Sequence, residues 1–394
     1  MKVLFITPLF PYPLESGGQI RFFNLIKRLS KKHKITLFSF IRKEREKEFI
    51  AQLAPYCEKI RVFKRRWVWS PFNFLLAGFS RLPFLSASYW SWEFKKAVEK
   101  ELLKGYDLVH LECFYTGASL PKISIPLVLV EHNLEWEVYS QFARQFKIFF
   151  LRPFLFFDIW KMRKWEIGFW KKAEKVVAVS KSDQGKIEKI LGKKCELVLN
   201  GVDCAFFAQI KRKPVFPPRV LFVGNMKWFP NRDAVFFLLK EIWPKIKKKI
   251  PKAKLWIVGR NFPKEFCQLE EEGVEFERGI EDIRRAYALA SILIVPLRMG
   301  GGIKFKVLEA MASGLPVVST KIGVEGIGVE EGKEYFGGEK AEELAEKTVL
   351  LLKNKDLREK IGKAGQSFIR KYFDWGKIVE KLDEVYREVK KLRN

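Results

Sequence analysis

The chain has 394 residues, enough for two domains of ordinary size. Apolar residues make up 48%, which supports a large core and excludes general disorder. The formal net charge is +28, a balance that favours anionic partners: nucleic acid, lipid headgroups or phosphorylated ligands.

The opening "MKVLFITPLF" is apolar, but Pro8, Pro11 and Pro13 break it and no small-x-small cleavage site follows. It reads as a buried first strand and its loop rather than a secretory signal. Strand patterns recur at 2–6, 34–40, 106–110, 126–131, 176–179 and 196–199, then at 219–223, 254–258, 274–277, 291–295 and 315–319. Helix-period runs such as "GQIRFFNLIKRLSKK" and "NRDAVFFLLKEIWPKIKKK" lie between them. The alternation predicts parallel sheets with helices on both faces, and the strand count predicts two doubly wound α/β domains. The Pro- and Lys-rich "AQIKRKPVFPPRV", 208–220, is the expected boundary. No run reaches 18 uninterrupted apolar residues, so no transmembrane helix is expected. Cys57, Cys113, Cys195, Cys204 and Cys267 are scattered without a C-x-x-C and read as reduced thiols of a cytoplasmic protein.

In open parallel sheets, ligands bind beyond the carboxyl ends of the strands. Two such loops, "LESGGQIRF" and "LRMGGGIKFK", place glycines at the start of a helix. Free backbone N–H groups at the positive end of a helix suit a phosphate. A tight turn is the bland alternative for either loop, but one in each domain favours the phosphate. Neither G-x-G-x-x-G nor G-x-x-x-x-G-K-[ST] is present. Lys306 falls one helical turn before Glu309 on a helix expected to begin near Gly302, and Lys304 is expected at the surface. Of three histidines, His33 sits in the charge run "KKHK" and is expected in solvent. His110 and His132 end strands, with Glu112 and Glu131 as further acid or base candidates. No metal-ligand cluster stands out, so no metal is expected. The segments 65–96 and 142–172 mix Phe and Trp with Lys and Arg, which suits an interfacial membrane surface as well as a large aromatic core.

Together, "LESGGQIRFFNLIKRL", "VLVEHNLEW", "VVAVSKSD", "LVLNGVD", "LFVGNM", "PNRDAV", "KVLEAMASGLPVVST" and the final "FDWGKIVEKLDEVYREV" resemble the retaining, nucleotide-sugar-dependent glycosyltransferases of the GT-B fold, often called family 4 or group 1. The resemblance covers nearly the whole chain. It implies two Rossmann-like domains: an acceptor-binding domain at 1–209, completed by a crossing helix at 376–394, and a nucleotide-sugar-binding domain at 210–375. It implies an interdomain cleft, with the linker near 211–218 permitting closure. The family's two glutamates lie eight positions apart. The second matches Glu309, which would accept from the ribose hydroxyls. The first falls on Gly301, so it is absent here. The family's phosphate-binding arginine position holds Asn225, with Lys227 and Arg232 nearby. Lys306, with the amides of Gly301, Gly302 and Ile303, is the expected replacement. His132 matches the family histidine that contacts the donor sugar or its diphosphate, and Gly17 and Gly18 match its first glycine loop.

The resemblance thus implies a glycosyltransferase without a cofactor, moving a sugar from a nucleotide-diphosphate sugar to a carbohydrate or lipid-linked acceptor in polysaccharide biosynthesis. Metal-independent transfer is expected, with His132 and Lys306 as catalytic groups. Expected partners are the nucleotide sugar, the acceptor and an anionic membrane surface at the inner face, but no nucleic acid. A non-enzymatic polyanion or nucleic-acid binder and a nucleotide-sugar isomerase of the same fold remain as alternatives.

Overall fold

The computed structural model describes residues 1–391 apart from 146, 147, 211, 213, 214, 265 and 267–271. Cys267 and part of the expected linker therefore lie outside the described residues. Two compact units emerge, Met1–Asn200 with Ile378–Asn394, and Gly201–Lys377.

The first unit is a seven-stranded sheet of β1 (Lys2–Thr7), β2 (Lys34–Ile41), β3 (Lys59–Lys64), β4 (Leu108–Glu112), β5 (Leu127–Glu131), β6 (Lys175–Ala178) and β7 (Glu196–Leu197). Their order is β3-β2-β1-β4-β5-β6-β7, and every pair is parallel. The second unit is a six-stranded parallel sheet of β8 (Arg219–Asn225), β9 (Lys254–Arg260), β10 (Val274–Arg278), β11 (Ile292–Val295), β12 (Val317–Ser319) and β13 (Phe336–Gly337), in the order β10-β9-β8-β11-β12-β13. Central strands are apolar on both faces because helices cover both. Leu4, Ile6, Val109 and Leu111 are buried in the first unit, as are Leu221, Phe222, Leu293 and Ile294 in the second.

Both sheets reverse strand order at one point, between β1 and β4 and between β8 and β11. A crevice opens beyond the strand ends at such a switch point. Glu112 and Asn225 end two of these four strands and the glycine turns follow the other two, so topology selects the regions that the sequence singled out.

The break between units falls at Asn200–Gly201, ahead of the expected 209/210. Packing explains the difference. Phe207, on the short helix Cys204–Ala208, meets the Tyr287 ring edge-on at 5.9 Å. Arg212 donates to the carbonyls of Gly314 at 2.6 Å and Ala290 at 3.0 Å. Both anchors belong to the second unit. The return to the first unit, at Lys377–Ile378, lies within the last helix, Trp375–Lys391. Tyr386 and Asp383 on that helix pack against the first unit's histidines.

Candidate active site

In the second unit, β11 leads to the three glycines. Gly300 and Gly302 have φ of 105° and 73°, a left-handed region that side chains resist. Gly301 has no such constraint, and a Cβ placed there meets nothing within 4 Å. The helix that follows is Phe305–Ala312, starting later than expected, with Lys304 extended at its N-cap. Lys304 is not a surface lysine. Its ammonium turns back to the carbonyls of Gly302 at 2.6 Å and Gly300 at 3.3 Å, with Glu325 at 3.6 Å, and so fastens the loop.

Lys306 and Glu309 share one face of this helix. Lys306 Nζ donates to Asn231 Oδ1 at 2.9 Å and lies 4.4 Å from the centre of the Phe222 ring. Burial, helped by the charge of Lys304 and opposed by Glu309, pushes the Lys306 ammonium down to about 7. Glu309 Oε2 accepts from the Tyr287 phenol at 2.8 Å. Burial pushes the Glu309 carboxyl up to about 7, against that hydrogen bond and the Lys306 charge. A cation and a carboxylate, each one proton from neutral, therefore sit one turn apart at the switch point.

Asn225 closes β8 and builds the adjoining turn. Its Oδ1 accepts from the Lys227 amide at 3.0 Å and from Asn261 Nδ2 at 2.9 Å. Its carbonyl accepts from Asn231 Nδ2 at 2.9 Å. Asn225 thus reaches Lys306 through Asn231, while the Lys227 side chain is exposed. Arg298 makes a two-pronged pair with Asp233, at 3.0 and 2.6 Å, and ties the glycine loop to helix Phe229–Phe237.

In the first unit, Gly17 and Gly18 are the first two residues of helix Gly17–Leu29 rather than preceding it, and Ser16 caps them by accepting from the Gln19 amide. First-turn amides have no acceptor within a helix, so these two remain available donors. One turn on, the buried Arg21 lies 3.7 Å from Glu112 and donates to the carbonyls of Val198 and Leu199 and to Asn200 Oδ1. Glu112, at the end of β4, bridges His110 Nε2 at 3.0 Å and His132 Nε2 at 2.6 Å. Burial disfavours its charge, but Arg21 and the two imidazoles hold its carboxyl well below the usual range. Glu112 is therefore an anion that orients His132, not an acid or base in waiting. His132 remains partly exposed, with its ring edge-on to Phe22.

Two other sequence candidates, and the histidine expected in solvent, are structural. His110 is fully buried between Glu112 and the Tyr386 hydroxyl, at 2.6 Å from Nδ1, and stacks on Phe5. Glu131 is buried and accepts from Trp170 Nε1 at 3.0 Å. His33 is not in solvent: its Nε2 lies 2.8 Å from Asp383, beneath the last helix. Among the described residues, no group of three or more His, Cys, Asp or Glu is arranged to hold a metal ion.

Comparison with known proteins agrees with this geometry. Residues 16–206 match the model of Glycosyltransferase Family 4, and residues 217–354 match Glycosyl transferases group 1. The chain is a GT-B glycosyltransferase. The enzyme is 26% identical to an uncharacterized glycosyltransferase of Methanocaldococcus jannaschii over 99% of both chains. It is 28% identical to a phosphatidyl-myo-inositol mannosyltransferase of Mycobacterium tuberculosis, over 50% of this chain and 55% of that one. The structure of Anabaena HepE in complex with UDP and glucose superposes with a TM-score of 0.66 at 17% identity, covering 98% of this chain and all of that one, a likeness of fold. A non-enzymatic polyanion binder is thereby set aside.

Sequence reading missed three residues that contact the candidate site residues: Asn231, Tyr287 and Arg21. Each acts through a partner far away in the chain, and "PNRD", "RRAYA" and "QIRFF" carry no local sign of it.

Proposed function

We propose that this glycosyltransferase takes its sugar from a nucleoside-diphosphate sugar bound at the β8/β11 switch point of the second unit. The observation that carries this reading is the Tyr287–Glu309 hydrogen bond, with Lys306 one turn away. A half-buried carboxylate fixed by one oxygen suits a ribose diol. A lysine with no carboxylate within ion-pair distance among the described residues suits a diphosphate. The amides of Gly301, Gly302 and Ile303 lie beside them, and Asn225 and Lys227 shape the neighbouring turn. Taken by itself, the first unit offers His132, oriented by Glu112, and the Gly17 and Gly18 amides as donors suited to sugar hydroxyls or phosphate oxygens.

Transfer breaks the bond between the anomeric carbon and the diphosphate oxygen, which leaves with the electron pair, while an acceptor hydroxyl oxygen bonds to that carbon and gives its proton to the departing phosphate. Groups preorganised toward that developing charge lower the barrier, and a cationic lysine with backbone amides supplies such groups without a metal ion. We read the transfer as retaining, as in the family that the chain resembles. The acceptor is a carbohydrate or a lipid-linked carbohydrate in polysaccharide assembly, met by a cytoplasmic enzyme at the anionic inner face of a membrane. The similarity to a mannosyltransferase whose acceptor is phosphatidyl-myo-inositol supports the lipid option.

A thermal-shift screen against nucleotide sugars tests the donor, because a ligand of the folded state raises the melting temperature. The expected result is a rise with one nucleoside-diphosphate sugar, persisting in EDTA together with turnover. No shift with any of them, or turnover abolished by EDTA, would refute the respective part.

A further inference from the structure

Two helices in the first unit expose aromatic side chains to an unusual degree. In Pro71–Phe79, Phe79 is 90% exposed. In Arg152–Lys172 and the turn before it, Phe154 is 72% and Phe149 75% exposed. Soluble surfaces rarely gather large apolar groups in this way without a partner. The segments are remote in sequence, yet they are stapled together. Lys161 Nζ donates to the carbonyls of Ala77 at 2.5 Å and Leu82 at 2.9 Å, which end and follow the first helix. Asp158, one turn earlier, accepts from the Phe84 amide at 2.9 Å. The Phe84 ring packs on Phe74 at 4.6 Å.

The charges on this face are one-sided. Asp158 is spent on Phe84, and the buried Glu166 accepts from the Glu135 amide. Cations sit over the rings instead: Lys164 lies 3.7 Å from the Trp160 ring centre and Arg66 4.2 Å from that of Phe72. Among the described residues, no helix is long and apolar enough to cross a membrane.

We propose that the two helices form one composite plate that lies in the interface of an anionic lipid bilayer, with Lys161 as the residue that positions them. The inference rests on the membrane part of the proposed function and names how this chain builds that surface. Exposed phenylalanines enter the headgroup–acyl boundary while lysine and arginine reach lipid phosphates, the pattern of an in-plane anchor. Charge decides between lipid and a second copy of the chain. Two basic plates facing each other repel, whereas an anionic bilayer attracts. Lys161 carries no charge to the lipid. It is largely shielded and lies 3.6 Å from Asp158, and its donors hold the last-turn helix carbonyl of Ala77 and the loop carbonyl of Leu82 in place.

The test is co-sedimentation of the full chain with phosphatidylcholine vesicles, with and without phosphatidylglycerol, at rising salt. The wild type should pellet only with phosphatidylglycerol and should release as salt screens the attraction. Phe79→Ser and Phe154→Ser, both at exposed positions that leave folding intact, should each weaken binding about tenfold, the scale of one phenylalanine removed from an apolar contact. Lys161→Met should weaken it similarly while the nucleotide-induced thermal shift persists. If Lys161→Met does not fold, the two serine variants decide alone. Loss in only one of them would overturn the composite plate. Equal pelleting without phosphatidylglycerol, or dimerisation abolished by Phe79→Ser, would overturn the lipid as occupant. A chain that binds nucleotide sugars but no vesicle refutes only the membrane reading, and the reverse result refutes only the donor.

Discussion

Lys306 and Asn231 form a contact of 2.9 Å in which a half-buried ammonium rests on an amide oxygen. Among the described residues, no carboxylate lies within ion-pair distance of that nitrogen. A cation so placed is under-compensated until an anion arrives, which ties its cost in the empty protein to its use in the loaded one. Lys306→Ala should lower turnover by about 10²–10³-fold, the range for a lost transition-state donor. Initial rates at saturating donor would measure it, and full activity would remove Lys306 from the mechanism.

Glu309→Ala should weaken nucleotide binding by roughly 1.5–3 kcal/mol, as for a hydrogen bond to a charged group, without unfolding the chain. Titration calorimetry checks the affinity, and unchanged binding would count against the ribose assignment. Tyr287→Phe should cost less, because it removes the orienting donor and keeps the carboxylate. It should also raise the carboxyl's pKa further, moving the acid limb of binding to higher pH.

Affinity for a nucleoside diphosphate should peak near neutral pH. Below about 7 Glu309 takes a proton and loses acceptor capacity, and above about 7 Lys306 loses its charge. Glu309→Gln should flatten the acid limb and Lys306→Met the alkaline one. Stability carries the opposite signature. Between the ordinary 4.5 and about 7, the folded state holds the Glu309 proton more tightly, so stability falls as pH rises. Between about 7 and the ordinary 10.5, the unfolded state holds the Lys306 proton more tightly, so this group's contribution rises with pH. Denaturant midpoints across pH, with and without Lys306→Met, would separate the two.

Gly301→Glu restores the carboxylate that the resemblance leads one to expect, in open space with an ordinary φ. It should fold with stability within about 0.5 kcal/mol of wild type and alter the choice of donor sugar. The same change at Gly300 or Gly302, at positive φ, should cost on the order of 1–3 kcal/mol. Thermal melts of the three variants make the comparison.

Glu112→Ala should destabilise by about 3–5 kcal/mol, because Arg21 is left as a buried charge without its counter-ion. His132 loses its orienting partner in the same variant. Denaturant unfolding reads the first effect, and the ring chemical shifts of His132 by NMR read the second.

All eleven strands expected from the sequence are present in the structure, each within a few residues. The two that were missed are edge strands. Lys59–Lys64 alternates charge with apolar residues and is only partly covered, and Phe336–Gly337 spans two residues, too short for any period. Glu309, Lys306 and His132 can be singled out as candidates from the sequence because a local motif or helical spacing points to them. Asn231 and Tyr287 were not, since their meaning lies in atoms 75 and 22 residues away. Lys304 and His33 were misread because a charged run looks solvated until one knows what packs over it.

The last helix sets a timetable. The first unit's imidazoles at His33 and His110 take their partners from Asp383 and Tyr386. Those residues leave the ribosome after the whole second unit has been made. The first 200 residues must wait, incompletely sealed, while the rest is synthesised, and a stop codon placed before residue 383 should strand the N-terminal half rather than merely shorten the protein.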